Sequence, residues 1–221
     1  MRVRAPWTKT LPVTLAGILA GLLFWASGAS PQERLTIFDA HLHYNQEPAP
    51  FYSLDQVREV FRRNGIVGIV ATSRPNKGTH ELIDAKWPEL KVVPFIRPYR
   101  VRSDMQTWFN DPAIFELIKS EYARGYYRGI GEFHIYGKSA ENEWVKKMVN
   151  FAVERNLYLH AHCDEEALLI LFRHNPKARI IWRIPDLRSR QCASQNFSTS
   201  TRIRSGANCP IAVVSLAVTE S

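Results

Sequence analysis

From residue 35 to residue 182 the chain alternates short apolar runs of β-forming residues with longer stretches that carry a helical apolar stripe. That alternation leaves few folds open. Residues 35–44 read as a strand, with Leu35, Ile37, Phe38 and Leu42 apolar and Thr36 and Tyr44 favouring β structure. Ser53-Leu54-Asp55-Gln56 has the form of a capping box, and Leu54, Val57, Val60 and Phe61 then make a stripe that Asn64-Gly65 ends. Ile66 to Ala71 is continuously apolar, as a parallel strand buried on both faces should be. A short helix is predicted over 79–87 and a third strand over 91–96, where Pro94 removes one ladder donor. Asp111-Pro112 opens a helix that runs through Ile114, Phe115, Ile118 and Tyr122 to Gly125. The pattern continues with a strand at 129–135, an amphipathic helix at 141–156 and a strand at 157–162. A helix at 165–173 and a sixth strand from Arg179 complete it.

Strand–helix alternation with short connections predicts a parallel sheet with helices outside it, as either a (β/α)8 barrel or an open doubly wound sheet. Polar residues cluster near the C-terminal ends of the first, fourth and fifth strands, where barrel enzymes keep their chemistry. No G-x-G-x-x-G or Walker-type loop follows the first strand. The expectation is an α/β fold: an incomplete (β/α)8 TIM barrel, about strands one to six of eight, with an irregular C-terminal tail over 183–221.

His41 and His43 lie two residues apart on the first strand, so their imidazoles project to the same side and can share one metal ion. Asp39 has the same parity and could orient one of them. The plainer reading of the pair is two half-exposed histidines. Glu132 on the fourth strand is either a metal ligand, the preferred reading, or a buried carboxylate paired with an arginine such as Arg97. His134 shares its face and reads as a polar wall residue. His80 and His174 receive no role, and Cys163, opposite in parity to His162, reads as a small buried side chain.

The net charge of +8 invites a polyanion partner, but its distribution argues against one. Residues 1–29 contribute +3 through Arg2, Arg4 and Lys9, and residues 183–221 another +3. The middle of the chain is nearly balanced, so no nucleic-acid partner is expected. The basic start, the apolar run Leu11 to Trp25 and Ser27-Gly28-Ala29 have the form of a secretory signal peptide cut after Ala29. An uncleaved anchor is the alternative, though the run is short for a span. The expected location is secreted or periplasmic, with no stable membrane association after cleavage. Cys163, Cys192 and Cys209 are odd in number and form no disulfide framework.

Four segments, in order over about 35–182, resemble the amidohydrolase superfamily, and specifically its amidohydrolase-related branch. They are Phe38-Asp39-Ala40-His41-Leu42-His43, Gly129-Ile130-Gly131-Glu132-Phe133, Leu159-His160-Ala161-His162-Cys163-Asp164 and Asn175 to Trp182. The resemblance implies a metal-dependent hydrolase, most simply with Zn2+, acting on a C–N or C–O bond of a small molecule. It makes His41 and His43 metal ligands, Glu132 a binding or bridging ligand as in the related TatD-like nucleases, and His162 a further ligand. His160, of the same parity as His162, is the other candidate and lines the site, together with His134, Asp39 and Arg97.

The resemblance stops at Trp182, where the family would continue with a sixth-strand histidine in an Ala-His-x-Gly motif and an eighth-strand aspartate acting as general base. Arg183 to Arg190 and the Ser/Thr/Gln/Arg-rich stretch after them match neither, so the catalytic base is unassigned. One restored base would let Arg183-Ile184-Pro185-Asp186-Leu187 be read as Ala-His-Ser-Gly-Phe, which suggests a frameshift. On this reading the domains are a signal peptide (1–29), a partial barrel (30–182) and an aberrant, disordered tail (183–221), in a chain that is poorly folded, inactive or both. Two further readings stay open. One is a non-oxidative decarboxylase of the same branch, with Arg97 or Arg100 near the metal to meet a carboxylate. The other is a non-catalytic metal-binding remnant.

Overall fold

The computed structural model describes residues 35–47, 49–183, 201–204 and 211–216, the last two segments as backbone. The signal-peptide reading, Cys192, Cys209 and the frameshift beyond Arg183 all lie outside the described residues. The chain divides into two compact units, Met1–Leu35 and Thr36–Ser221, and every described element belongs to the second. Among the described residues no helix is long and apolar enough to cross a membrane.

Six strands and five helices alternate as the hydrophobic pattern requires. In order they are β1 (Ile37–Leu42), α1 (Leu54–Asn64), β2 (Ile66–Ala71), α2 (Lys77–Asp84), β3 (Lys91–Ile96) and α3 (Pro112–Tyr122). Then come β4 (Gly129–Ile135), α4 (Glu143–Glu154), β5 (Tyr158–Cys163), α5 (Glu165–His174) and β6 (Arg179–Arg183). Local chemistry sets the boundaries. The Ser53 hydroxyl accepts from Gln56 N, the Gln56 side chain accepts from Ser53 N, and Gly65 at φ 68° closes α1. Asp111 caps α3 by accepting from Ala113 N, with Pro112 in the first turn. The helix predicted over 79–87 instead starts at Lys77 and ends at Asp84, because Lys86 turns to φ 47°. Residues 137–141, at the predicted start of the long helix, form a separate 3-10 turn, and Asn142 caps α4 by accepting from Trp144 N.

Strands β1 to β6 stand side by side in chain order, all parallel, as a curled half-barrel sheet. Pro94 does not break it, since its carbonyl still accepts from Arg128 N at 2.9 Å and ties β3 to the start of β4. On β4, Phe133 and Ile135 enter the main core with Met148, Leu159, Leu168 and Ile180, while Glu132 and His134 take the other face. A smaller cluster of Phe61, Ile69, Leu82 and Leu90 holds α1 and α2 to the first strands.

The tail departs from the irregular segment expected of it. β7 (Thr201–Arg204) and β8 (Ile211–Leu216) form an antiparallel pair, and β8 lies antiparallel against β6. Val213 and Val214 suit a strand, and the edge of β6 offers unpaired backbone groups that such a segment can satisfy. An antiparallel neighbour needs no crossover helix, so a short segment suffices. These strands do not continue the parallel set.

Candidate metal centre

The C-terminal ends of the six parallel strands converge on one carboxylate. Glu132 on β4 is 1% exposed, and each of its oxygens faces a different set of side chains. Oε2 lies 3.3 Å from His41 Nε2, 3.1 Å from His43 Nε2 and 3.4 Å from Arg97 Nη2. Oε1 lies 3.2 Å from His162 Nδ1 and 3.2 Å from Arg183 Nη1. The two readings of Glu132 therefore describe one arrangement: it meets the histidines and pairs with Arg97 as well.

Sheet register explains who meets whom. His134 of β4, His162 of β5 and Arg183 of β6 are cross-strand partners in one row. The His134 and His162 rings are 4.6 Å apart, and Arg183 Nη1 is 3.0 Å from His162 Nδ1. Trp182, between the residues of that row in parity, turns its indole N–H to the Cys163 carbonyl. Cys163 is buried in the core, away from the site.

Thr72, just past β2, positions the carboxylate from behind. Its hydroxyl donates to the Gly131 carbonyl and accepts from Glu132 N at 2.8 Å. Gly131 is required there: its φ of 127° suits glycine, and a Cβ would collide with the His160 carbonyl. The Thr72 carbonyl lies 2.5 Å from His43 Nδ1 and accepts from Arg97 Nη1 at 3.3 Å. Arg97 Nη1 is also 2.6 Å from His43 Nδ1. With its proton on Nδ1, toward the Thr72 carbonyl, His43 keeps a lone pair on Nε2 for an ion; with its proton on Nε2 it donates to Glu132 instead. Arg97 is itself held by Asn76, which accepts from Arg97 N and donates to Arg97 O.

This arrangement fits a metal ion. His41 Nε2 and His43 Nε2 are 2.8 Å apart, and both lie within 3.3 Å of Glu132 Oε2. Arg97 reaches the same atoms, with Nη1 3.0 Å from His43 Nε2 and Nη2 3.4 Å from Glu132 Oε2. Protonating His43 a second time is disfavoured, since burial lowers its pKa. A cation satisfies all three, and tetrahedral zinc ligands at ~2.0–2.1 Å from the ion stand roughly 3.3 Å apart. His41, His43 and Glu132 form one group able to hold a metal, and Glu132, His134 and His162 a second. In the second, Arg183 Nη1 already lies against Glu132 Oε1 and His162 Nδ1, so the first group is the better site.

Burial alone would raise the Glu132 carboxyl. Hydrogen bonds from His162, His41 and His43 override it and hold the group far below the usual carboxylate range. Burial pushes His160 down to about 3 and His134 to about 4. His160 is fully buried, and neither ring nitrogen has a hydrogen-bond partner, although the His41 ring stands 4.9 Å away. His134 Nδ1 is 3.2 Å from the Tyr99 hydroxyl, and that hydroxyl accepts from His134 N. Asp39 accepts from His41 N at 2.9 Å and so braces the strand instead of a ring.

His43, His134 and His160 are all lowered, so each binds a proton more readily unfolded, where the pKa is about 6.5, than folded. Their stabilisation is complete above pH 6.5 and is lost as pH falls toward the folded values. Metal-free protein should therefore lose about 1 kcal/mol per histidine for each pH unit below 6.5. The Glu132 contribution fades only below its unfolded value of 4.5. Urea melts at pH 7, 6 and 5 measure this, and a flat profile over that range would contradict it.

Of the residues singled out in the sequence, His41, His43, Glu132, His162, His134 and Arg97 are brought together, and His160 lies deeper beside His41. His80 joins Glu121 and Tyr127 elsewhere, and His174 meets the Ala140 carbonyl. Arg100 binds Asp104 and Asp111, away from the centre. Sequence reasoning missed Thr72, Tyr99 and Arg183. Neither a family model nor a curated protein matches the chain.

Proposed function

We propose that this chain carries the centre of a metal-dependent hydrolase of the amidohydrolase-related type, built on part of a TIM barrel. Its substrate is a small molecule with a C–N or C–O bond, and the ion is Zn2+. The observation that carries this reading is the convergence of His41 Nε2, His43 Nε2 and Glu132 Oε2 at the C-terminal ends of parallel strands. Two imidazoles and a carboxylate match zinc's preferred donors. A bound divalent ion lowers the pKa of water toward ~7 and polarises a carbonyl.

The chain's own groups do the rest. The Thr72 carbonyl beside His43 Nδ1 supports the tautomer in which Nε2 offers a lone pair. Glu132 supplies the counter-charge from a site closed to water. Beside His43, a cavity of about 510 Å³ lined by Leu42, Tyr44, Tyr52, Val57 and Phe61 is large enough for a small apolar group. Among the described residues no aspartate joins the cluster to act as general base, and a positioned base contributes typically ~10²–10⁴-fold.

Zinc-loaded protein should therefore hydrolyse an activated ester such as 4-nitrophenyl acetate slowly. A chelator should remove that rate and Zn2+ should restore it. Full metal loading with no zinc-dependent rate would leave a metal-binding remnant. The two guanidiniums at Glu132 favour a second reading, a decarboxylase acting on a carboxylate. Release of CO2 from a carboxylate panel, without hydrolysis, would select it.

A further inference from the structure

Arg183 has no role in the hydrolytic reading above, yet among the described residues it is the cation of the cluster that stands half exposed. Its side chain is 39% exposed, whereas Arg97 is 3% exposed and Glu132 2%. Only Nη1 is committed, to Glu132 Oε1 and His162 Nδ1. A guanidinium carries five donors in a rigid fork suited to a planar carboxylate, so the rest of the fork is free to take one.

Charge points the same way. The single carboxylate of Glu132 faces two guanidiniums, with Arg97 behind it and Arg183 in front. Asp39, the other carboxylate on this side of β1, accepts from a backbone N–H. Among the described residues Arg97 and Arg183 thus share the one carboxylate of Glu132, and neither guanidinium has a carboxylate to itself. Arg97 and Arg183 are close enough to repel one another, as is Arg74 despite its own pairing with Glu47. Buried or half-buried positive charge of this kind calls for a counter-ion.

We propose that Arg183 anchors the carboxylate group of an anionic small-molecule substrate at the mouth of the metal centre. The word substrate rests on the hydrolytic reading, but the binding step can be tested without turnover.

The test is calorimetric titration of the full chain, with and without Zn2+, using benzoate, its neutral analogue benzamide, and inorganic phosphate. Metal content is measured in parallel. A charge-assisted contact should make benzoate bind at least about tenfold more tightly than benzamide. The preference should hold without metal and fall to near unity in Arg183→Gln, with metal content and melting followed because the change also frees Glu132 Oε1 and His162 Nδ1. Arg183→Lys should keep part of it, because the charge remains and the fork is lost. A preference that needs Zn2+ and survives in Arg183→Gln would mean the metal holds the anion and would overturn the assignment. Tighter binding of phosphate than benzoate would overturn the choice of a carboxylate. Loss of zinc binding in the unmodified chain, with the benzoate preference intact, would sink the hydrolase reading and leave Arg183 as an anion site.

Discussion

Replacing His41 and His43 together by alanine should lower bound zinc from about one ion per chain to none. The fold should survive. Both side chains are partly exposed at the open end of the sheet, and neither belongs to the apolar clusters that hold the helices to it. The variant leaves Glu132 in place, with Arg97 and Arg183 still balancing it. It is thus a clean removal of ligands, unlike a change at the carboxylate itself. The measurement is elemental analysis after gel filtration, beside a melting curve for each protein. Zinc retained by the variant would move the site to the Glu132, His134 and His162 group. Unmodified protein that holds no zinc would mean the three atoms are held by protons and by Arg97 alone. Thr72→Val offers a finer version. It keeps the backbone carbonyl that faces His43 Nδ1 but removes the hydroxyl that clamps the Gly131–Glu132 peptide.

Much of this centre was legible in the chain because strand geometry is local. Parity alone put His41 beside His43 and Glu132 beside His134, and β-propensity placed the strands that carry them. What parity cannot give is register between strands. The row His134, His162, Arg183 exists because β4, β5 and β6 align as they do, and no spacing in the sequence encodes that alignment. Thr72 was invisible for the same reason, since its partners are 59 and 60 residues away on β4. Its only signal was its place just after a buried apolar strand. Arg183 was read as the first residue of an aberrant tail because the resemblance ended at Trp182, yet it is the last residue of β6. The tail itself misled through its composition. A Ser/Thr/Arg-rich stretch suggests no strand–helix rhythm, but antiparallel strands need only a short β-branched run and an edge to pair with.

The carboxylate is where stability and function meet, so Glu132→Gln should be among the most costly single changes in the chain. Glutamine has nearly the same shape and can accept hydrogen bonds, so packing is preserved and charge is the variable. With the charge gone, Arg97 is left 3% exposed with no carboxylate partner, and its Nε already lacks a hydrogen bond. Breaking a buried pair by removing one partner costs about 3–5 kcal/mol, because the other charge stays in low dielectric. For a domain of this size that is a fall in Tm on the order of 10 °C. Zinc binding should disappear as well, since the ion loses its only anionic ligand among the described residues. A double-mutant cycle separates charge from shape. Glu132→Gln with Arg97→Met removes both charges, and it should recover at least about 1 kcal/mol relative to the sum of the single changes. Additivity of the two would show that Arg97 and Glu132 do not interact across 3.4 Å, and that the histidines alone hold the carboxylate. The acid profile gives an independent check. Because folding holds the Glu132 carboxyl below its unfolded value of 4.5, its stabilisation is present above that pH and is lost as pH falls through the folded value. In Glu132→Gln the Glu132 share of the steepening below pH 4.5 should be lost, while the loss between pH 6.5 and 5, which belongs to the lowered histidines His43, His134 and His160, should remain.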